Sequence, residues 1–273
     1  MNLPSIEEVM KKTINSKIGN LHTETISKEE RQRREVERYN KIPGELKYYD
    51  CDKCNNKGNI AYYNAEGYFT TKTCECMEIR KTIQRAEKSG LSGLLSSYTF
   101  KKYEATEDWQ KEIYEKAKTF VTDDENRWFF IGGQTGAGKS FICTAIVGSL
   151  IKSGKSAVYM LWRDDSVKLK ANVNKFDVYE EMINRFKTTP VLYIDDFFNV
   201  EKGKVPTSAD IHLAFELLNY RYNNPDLITI ISSEFTLNDI IKIAENVGGR
   251  IHERAKNYQF NIAPDIRKNY RLR

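Results

Sequence analysis

The sequence predicts a three-layer α/β fold with a mostly parallel sheet, from three observations. Apolar, strand-like runs alternate with helix-like runs from residue 128 to residue 262. That alternation is typical of parallel strands covered by helices on both faces. A glycine-rich motif follows the first strand-like run, and a pair of aspartates ends the third. Ligands bind at the carboxyl ends of the strands in such folds, so both motifs are expected at the binding edge.

The glycine-rich motif runs from Gly133 to Ser140 and reads G-x-x-x-x-G-K-S. It lies between the strand-like Trp128–Ile131 and a helical run, which is the context of a phosphate-binding P-loop. Glycines let backbone N–H groups converge on phosphate oxygens, and the helix start adds free donors. Lys139 is expected to reach the β- and γ-phosphates of ATP, and the Ser140 hydroxyl to ligate Mg²⁺. The alternative is a glycine-rich turn followed by a chance Lys-Ser pair. The residues predicted to bind ATP or ADP are Gly133, Gln134, Thr135, Gly136, Ala137, Gly138, Lys139, Ser140, Phe141 and Asp195.

The aspartate pair, Asp195 and Asp196, ends the apolar run that begins at Pro190. Such a pair one β-α unit after a P-loop is a Walker B pattern. Asp195 is expected to hold Mg²⁺ through water opposite Ser140. Asp196 is placed to orient or deprotonate the attacking water. The next strand-like run ends in polar side chains, 232–234, which are expected to face the γ-phosphate.

Four of the five cysteines form two closely spaced pairs ahead of the P-loop. They are Cys51, Cys54, Cys74 and Cys76. Strand-like residues and a turn separate the pairs, which predicts a β-hairpin between two cysteine knuckles. Four thiolates brought together in this way make a closed, structural Zn²⁺ site, and the metal would supply folding energy to a segment with little core. The alternative is a set of unligated cysteines. Cys143 is expected to be a buried core residue.

Composition and charge bound the remaining possibilities. The net charge of +5 permits a nucleic-acid partner without requiring one. No apolar run is long enough to cross a membrane, and the start of the chain does not resemble a signal peptide, so a cytoplasmic protein without membrane contact is expected. The expected segments are a helical arm (1–47), a zinc-binding segment with a linker helix (48–97) and a nucleotide-binding domain (98–273).

Three features have two interpretations each at this point. The arm carries one helix with Ile6, Val9, Met10 and Ile14 along a stripe, and a second helix that begins with a capping box at Ser27. The two helices either are charged and solvated or form a docking surface for a partner. The aromatic residues Tyr98, Phe100 and Tyr103 either flank an adenine ring or pack in the core. The lysines at 168, 170 and 175 either meet a nucleic-acid backbone or lie on a solvated face.

These motifs together resemble bacterial and phage helicase loaders of the DnaC/DnaI type, within the AAA+ ATPases. The residues that carry the resemblance are GQTGAGKS, VLYIDDFF, LLNYRYNN, IISSEFTL, GGRIHER and a short basic segment at 267–273. It covers about residues 98 to 273, and the four-cysteine segment is similar to the zinc-binding N-terminal domain of DnaI-like loaders. The resemblance implies ATP-dependent loading of a hexameric replicative helicase, which the N-terminal domain grips. It also implies binding of single-stranded DNA and self-assembly.

The resemblance also suggests roles for individual residues. Ser233 or Glu234 falls at the sensor 1 position. Arg250 matches the arginine finger that completes a neighbouring subunit's site, with Arg254 or a surface salt bridge as alternatives. Arg221 is a further candidate for a contact with DNA or another subunit.

The chain departs from the common AAA+ pattern in three places. Asp196 stands where many AAA+ proteins have glutamate, and the shorter acid predicts slow hydrolysis. Glu234 stands where an asparagine is usual. Little sequence follows Arg254, so the sequence predicts no helical lid and an open nucleotide site that is ordered only by assembly or a partner.

Other functions fit fewer of these features. A transposition helper ATPase of the IstB type shares the lidless module, but its usual N-terminal extension lacks a zinc knuckle. A small-molecule P-loop kinase would have an acceptor pocket and an arginine-rich lid, and neither is evident. A zinc-ribbon DNA-binding protein with a degenerate nucleotide site disagrees with the intact Lys139, Ser140 and Asp195.

Overall fold

The computed structural model describes residues 26–47, 49–88, 91–200 and 205–272. The described chain groups into two compact units: residues 26–45 with 52–73, and residues 46–51 with 74–272. The predicted helix that carries Ile6 to Ile14 lies outside the described residues. The division into three segments stays a prediction.

The first unit contains one helix and a hairpin. Helix α1 (Lys28–Lys41) precedes the antiparallel strands β1 (Asn59–Tyr63) and β2 (Phe69–Thr73). The helix begins where predicted, because the Ser27 side chain accepts a hydrogen bond from the backbone N–H of Glu30. The Asn40 side chain bonds both backbone groups of Ala61, at 2.9 and 3.2 Å, and so fixes the hairpin against the helix.

The second unit contains nine described helices, five strands and three short 3₁₀ turns. The helices are α2 (Cys76–Lys88), α3 (Leu91–Ser97), α4 (Asp108–Thr122), α5 (Lys139–Lys152), α6 (Trp162–Ala171), α7 (Phe176–Thr188), α8 (Ser208–Tyr222), α9 (Leu237–Ile243) and α10 (Glu245–Arg254). The strands are β3 (Trp128–Gly133), β4 (Ala157–Leu161), β5 (Val191–Asp195), β6 (Ile228–Ser232) and β7 (Gln259–Ile262). The 3₁₀ turns are Phe100–Lys102, Ile266–Lys268 and Tyr270–Leu272.

The five strands form one sheet in the order β4-β5-β6-β3-β7, and every pairing is parallel. Alternate residues of β3 enter two separate apolar clusters, Phe129 with α4 and α5, and Phe130 with α7, α8 and α10. Helices therefore cover both faces, which confirms the predicted three-layer α/β architecture. Because β6 lies between β3 and β5, the carboxyl ends of these three strands meet at one edge of the sheet. None of the described helices has the length and apolar character needed to cross a bilayer.

Arg221 is part of the core, so the suggestion that it contacts DNA or another subunit is wrong. Its side chain is fully buried on α8. The guanidinium donates to the Thr229 hydroxyl and to the carbonyls of Phe186, Lys187, Thr189 and Ile228, at 2.6 to 3.0 Å. It thereby joins the end of α7, the start of β5 and β6. Burial lowers the pKa of Arg221 to about 9.

We expect Arg221→Met to lower the free energy of unfolding by about 3 kcal/mol or more, because the new side chain leaves several buried carbonyls without a donor. Urea denaturation followed by circular dichroism measures the change. Arg267→Met is the matched control: Arg267 is exposed and paired with Asp265, so its loss is expected to leave the free energy of unfolding nearly unchanged. Equal effects of the two substitutions would contradict the structural role of Arg221.

Candidate nucleotide-binding and zinc sites

The P-loop connects β3 to α5 at the shared edge of the sheet. Gly133, Gly136 and Gly138 all have positive φ, between 74° and 100°. Other residues rarely adopt such angles, which explains the glycines at these positions. A Cβ atom at Gly136 would also collide with the side chain of Asn269.

Lys139, at the start of α5, extends back along the P-loop. Its Nζ donates to the carbonyls of Gly133 and Gln134, both at 2.8 Å, and the residue is only 6% exposed. Burial lowers the pKa of Lys139, whereas the carboxylates of Glu234 and Asp196 favour its charged form. The loop's own carbonyls thus hold an ammonium group where a polyphosphate would lie.

Asp195 is the most densely bonded acid at this edge. Its Oδ1 accepts from Ser140 Oγ at 3.0 Å, from Ser232 Oγ, and from the backbone N–H of Asp196 at 3.2 Å. Its Oδ2 accepts from the Tyr159 hydroxyl at 3.0 Å. Burial and the charge of Asp195 raise the pKa of Tyr159 well above its usual value, so this hydroxyl remains a donor. The carboxylate and the Ser140 hydroxyl lie side by side, the oxygen chemistry that Mg²⁺ prefers.

Asp196 follows the strand in a left-handed conformation, with φ of 53°. Among residues with a side chain, aspartate and asparagine adopt this region most readily, which gives a physical reason for Asp rather than Glu here. Its backbone N–H also donates to Ser232 Oγ at 3.2 Å. Burial, then the charges of Asp195 and Glu234, raise the pKa of Asp196. A carboxylate with a raised pKa is the better general base.

The two sensor candidates lie in different surroundings. Ser233 is fully buried; its Oγ donates to the Phe197 carbonyl at 2.7 Å and accepts from the Phe235 N–H at 3.0 Å. Glu234 lines the cavity over the P-loop and accepts from the Thr135 hydroxyl at 3.0 Å. The geometry thus leaves Glu234 as the side chain that faces the site.

A cavity of about 590 Å³ lies over the P-loop. Residues 135–141 line it together with Tyr98, Lys102, Tyr103, Asp196 and Glu234. Tyr98 stacks on Phe141 at 4.5 Å between ring centroids, and Tyr103 meets the same ring edge-on at 5.4 Å. The rings of Tyr98, Tyr103 and Phe141 thus pack on one another and border the cavity, and a contact with an adenine ring stays a prediction. The size of the cavity suits a small-molecule ligand.

The segment after β7 also borders this cavity, and the expectation of an open site stays a prediction. Tyr270 and Arg271 line the cavity, and the Tyr270 backbone N–H donates to the Gly136 carbonyl at 3.0 Å. The Asp265 backbone N–H donates to the Gln134 side chain at 2.9 Å. Both ends of the described tail are thus bonded to the P-loop.

Arg250 does not line this cavity within the described chain. It lies on α10, where Nε donates to Asn219 Oδ1 at 3.0 Å and the guanidinium stacks over the Phe215 ring at 4.6 Å. Arg254 stacks over Tyr222 at 5.7 Å, and its Nε and Nη2 are buried without a hydrogen-bond partner among the described residues. A role for either arginine at a nucleotide therefore requires a second copy of the chain.

Two of the three lysines at 168, 170 and 175 form ion pairs within the chain. Lys168 pairs with Asp165 at 3.2 Å, and Lys170 pairs with the buried carboxylate of Asp210. Lys170 thus has a structural partner, and the nucleic-acid interpretation of this stripe stays a hypothesis.

The four cysteines ahead of the P-loop lie together in one cluster. The sulfur atoms of Cys51, Cys54, Cys74 and Cys76 all lie within 4.8 Å of one another, and all four residues are buried. Cys51 Sγ and Cys74 Sγ are 3.7 Å apart. A tetrahedral Zn²⁺ with Zn–S bonds of about 2.3 Å separates its sulfur ligands by about 3.8 Å, so the cluster fits the ion. The backbone N–H of Gly58 donates to Cys54 Sγ at 3.3 Å, as expected for a thiolate ligand.

Comparison with known proteins places the chain in a family. XkdC, a protein of the phage-like element PBSX of Bacillus subtilis strain 168, is 30% identical over 221 residues, which covers 77% of this chain and 81% of XkdC. The chain belongs to the XkdC family. Another relative from the same strain, the uncharacterized protein YqaM, is 31% identical over 214 residues, which covers 74% of this chain and 67% of YqaM. No protein-family model matches the sequence.

Solved structures place this XkdC-family member in the AAA+ P-loop fold. A crystal structure of DnaI superimposes with a TM-score of 0.52 at 20% identity, over 63% of this chain and 92% of DnaI. The DnaC helicase loader superimposes with the same score at 16% identity, over 63% of this chain and 98% of DnaC. The replication initiator DnaA, bound to AMPPCP and single-stranded DNA, gives 0.50 at 19% identity, over 62% of this chain and 50% of DnaA. The predicted resemblance and fold class are confirmed for this XkdC-family chain.

Sequence reasoning did not place Tyr159 and Arg271 at this site, and Ser232, expected to face the γ-phosphate, donates instead to Asp195. Tyr159 reaches Asp195 because β4 pairs with β5, with Tyr159 opposite Tyr193. Ser232 reaches the same carboxylate because β6 lies on the other side of β5. A P-loop motif does not give strand order or register, so a pattern search does not find these contacts. The basic character of 267–273 was the available signal for Arg271.

We expect the purified protein to contain one zinc ion per chain, and Cys74→Ser to lose it, because an alcohol is a far weaker zinc ligand than a thiolate. Inductively coupled plasma mass spectrometry measures the metal. Cys143→Ala is the matched control, since Cys143 is also buried but lies outside the cluster. Zinc-free wild-type protein with a native circular dichroism spectrum would contradict the assignment.

Proposed function

We propose that this protein is an ATP-dependent loader of a hexameric replicative DNA helicase. The proposal is carried by one combination: an AAA+ unit with the fold of the DnaC helicase loader, in a chain that also has a four-cysteine cluster. In it, ATP binding controls when the protein holds the helicase and when it releases it. Assembly or opening of the ring then admits DNA.

Nucleotide binding is the best supported step. Lys139 and Ser140 lie beside the cavity, and Asp195 lies against the Ser140 hydroxyl. Lys139 would bind the β- and γ-phosphates, and Ser140 with Asp195 would hold Mg²⁺. DnaA, whose structure was solved with AMPPCP, shares this fold. We propose ATP and ADP as ligands, with Gln134, Thr135, Ala137 and Phe141 among the contacts.

Hydrolysis is proposed to be slow. Asp196 would orient or deprotonate the water, and its raised pKa suits a base. Its side chain is one methylene shorter than the glutamate of many AAA+ proteins. Arg250 from a neighbouring copy would supply the missing positive charge, so hydrolysis would depend on self-assembly. Glu234 would report the state of the γ-phosphate, while buried Ser233 would fix the position of this strand end.

The N-terminal unit is proposed to grip the helicase. Its hairpin exposes three aromatic side chains, Tyr62, Tyr68 and Phe69, to 39, 70 and 38%. Exposed aromatic residues are characteristic of protein-binding surfaces. Zinc would stabilise the fold of this region, so its removal would abolish the grip. Basic surfaces of the AAA+ unit would bind single-stranded DNA, a ligand that is present in the structure of DnaA, which has the same fold.

We expect Lys139→Ala to abolish ATP binding and helicase loading while helicase binding remains. The substitution removes the ammonium group from the phosphate site and leaves the N-terminal unit intact. Loading is measured as helicase transferred to circular single-stranded DNA, and binding by pull-down with the helicase.

Two variants serve as controls for this experiment. Lys152→Ala changes an exposed lysine on the same helix and is expected to load normally. Asp196→Asn keeps the left-handed backbone and is expected to bind ATP but not to hydrolyse it. Normal loading by Lys139→Ala would contradict an ATP-controlled loader, and failure of the wild-type chain to bind helicase would contradict the loader itself.

A further inference from the structure

The described tail, residues 263–272, is fixed to the P-loop and not only close to it. Tyr270 N–H bonds the Gly136 carbonyl, and Asp265 N–H bonds the Gln134 side chain. The Asn269 side chain occupies the space that a Cβ at Gly136 would need. The Tyr270 hydroxyl also donates to Glu107 Oε1 at 3.4 Å, at the start of α4. These contacts hold residue 271 at the cavity wall.

Arg271 is distinct among the cations that line the cavity. Lys139 Nζ is bonded to two P-loop carbonyls, and Lys102 Nζ donates to the Ser96 carbonyl at 3.1 Å. The Arg271 guanidinium has no hydrogen bond or ion pair within the described chain, although its backbone N–H is bonded to Asn269 Oδ1 at 3.1 Å. Its neighbour in the tail, Arg267, is instead paired with both oxygens of Asp265. Of the two tail arginines, Arg271 therefore has its charge available to a ligand.

The charge of the lining indicates what kind of ligand Arg271 would meet. Asp196, Glu234 and Glu104 also line the cavity. The two lysines of the lining, Lys102 and Lys139, do not balance these three carboxylates, and a polyphosphate adds further negative charge. A forked guanidinium is the side chain best suited to bind phosphate oxygens at two points.

We propose that Arg271 binds the polyphosphate of the nucleotide held by the P-loop of the same chain, with the tail bonded to Gly136 as its support. The tail then supplies within one chain a positive charge that does not depend on assembly. This inference rests on the proposed nucleotide binding. The ligand class is a nucleoside di- or triphosphate, since the contact is to phosphate and not to the base.

The test is the ATP affinity of full-length protein with Mg²⁺, measured by isothermal titration calorimetry for wild type, Arg271→Gln and Arg267→Gln. Both substitutions remove one tail arginine and one unit of charge. Arg271→Gln is expected to raise the Kd for ATP about tenfold, which is typical of losing a hydrogen-bonded charge contact. Arg267→Gln is expected to change it less than about twofold, because the Arg267 charge is already paired with Asp265. Thermal unfolding checks that both variants keep the wild-type fold.

The outcomes separate this inference from the proposed function. If wild type binds ATP and Arg271→Gln binds equally well, the inference fails and the proposed function stands. If both variants lose affinity equally, the tail acts only through its general charge and the specific contact is wrong. If wild type binds no ATP, both the inference and the proposed function are overturned.

Discussion

The nucleotide site depends on the hydrogen bonds that the carboxylate of Asp195 accepts. This residue ends a strand whose residues are all buried, and its carboxylate accepts hydrogen bonds from Ser140, Tyr159 and Ser232. These three donors belong to the P-loop helix, β4 and β6, so one acid joins four elements of the sheet edge. A buried carboxylate is costly unless it is bonded in this way. The same bonds hold its oxygens beside the Ser140 hydroxyl, where a magnesium ion would need them.

The parallel sheet is what makes this arrangement possible. Placing β6 between β3 and β5 brings the P-loop, Asp195 and Ser232 to one edge. Arg221 supports the opposite end of the sheet. It donates to the carbonyl of Thr189, just before β5, and to the carbonyl of Ile228, the first residue of β6. One buried cation and one buried anion thus fix the two ends of adjacent strands, each through hydrogen bonds to neighbouring elements.

The sequence predicts most of the fold and the centre of the site, because both are local. The residues of the P-loop, Gly133 to Ser140, and the pair Asp195-Asp196 are short continuous segments, and the four cysteines form two pairs that are close in sequence. Contacts that depend on strand order are not local. Tyr159 and Ser232 reach Asp195 only through pairing of neighbouring strands, and the tail reaches Gly136 from more than a hundred residues away. Arg221 was misjudged for the same reason, since a basic residue in a polar stretch of helix gives no sign that carbonyls from three other segments surround it.

The most direct test of the account is calorimetric titration of ATP into the full-length protein with Mg²⁺ and again with excess EDTA. We expect one ATP bound per chain with Mg²⁺ and at least about tenfold weaker binding without it, since Ser140 and Asp195 act through the metal. Affinity that is unchanged by removal of Mg²⁺, or no uptake of ATP by folded protein, would contradict it.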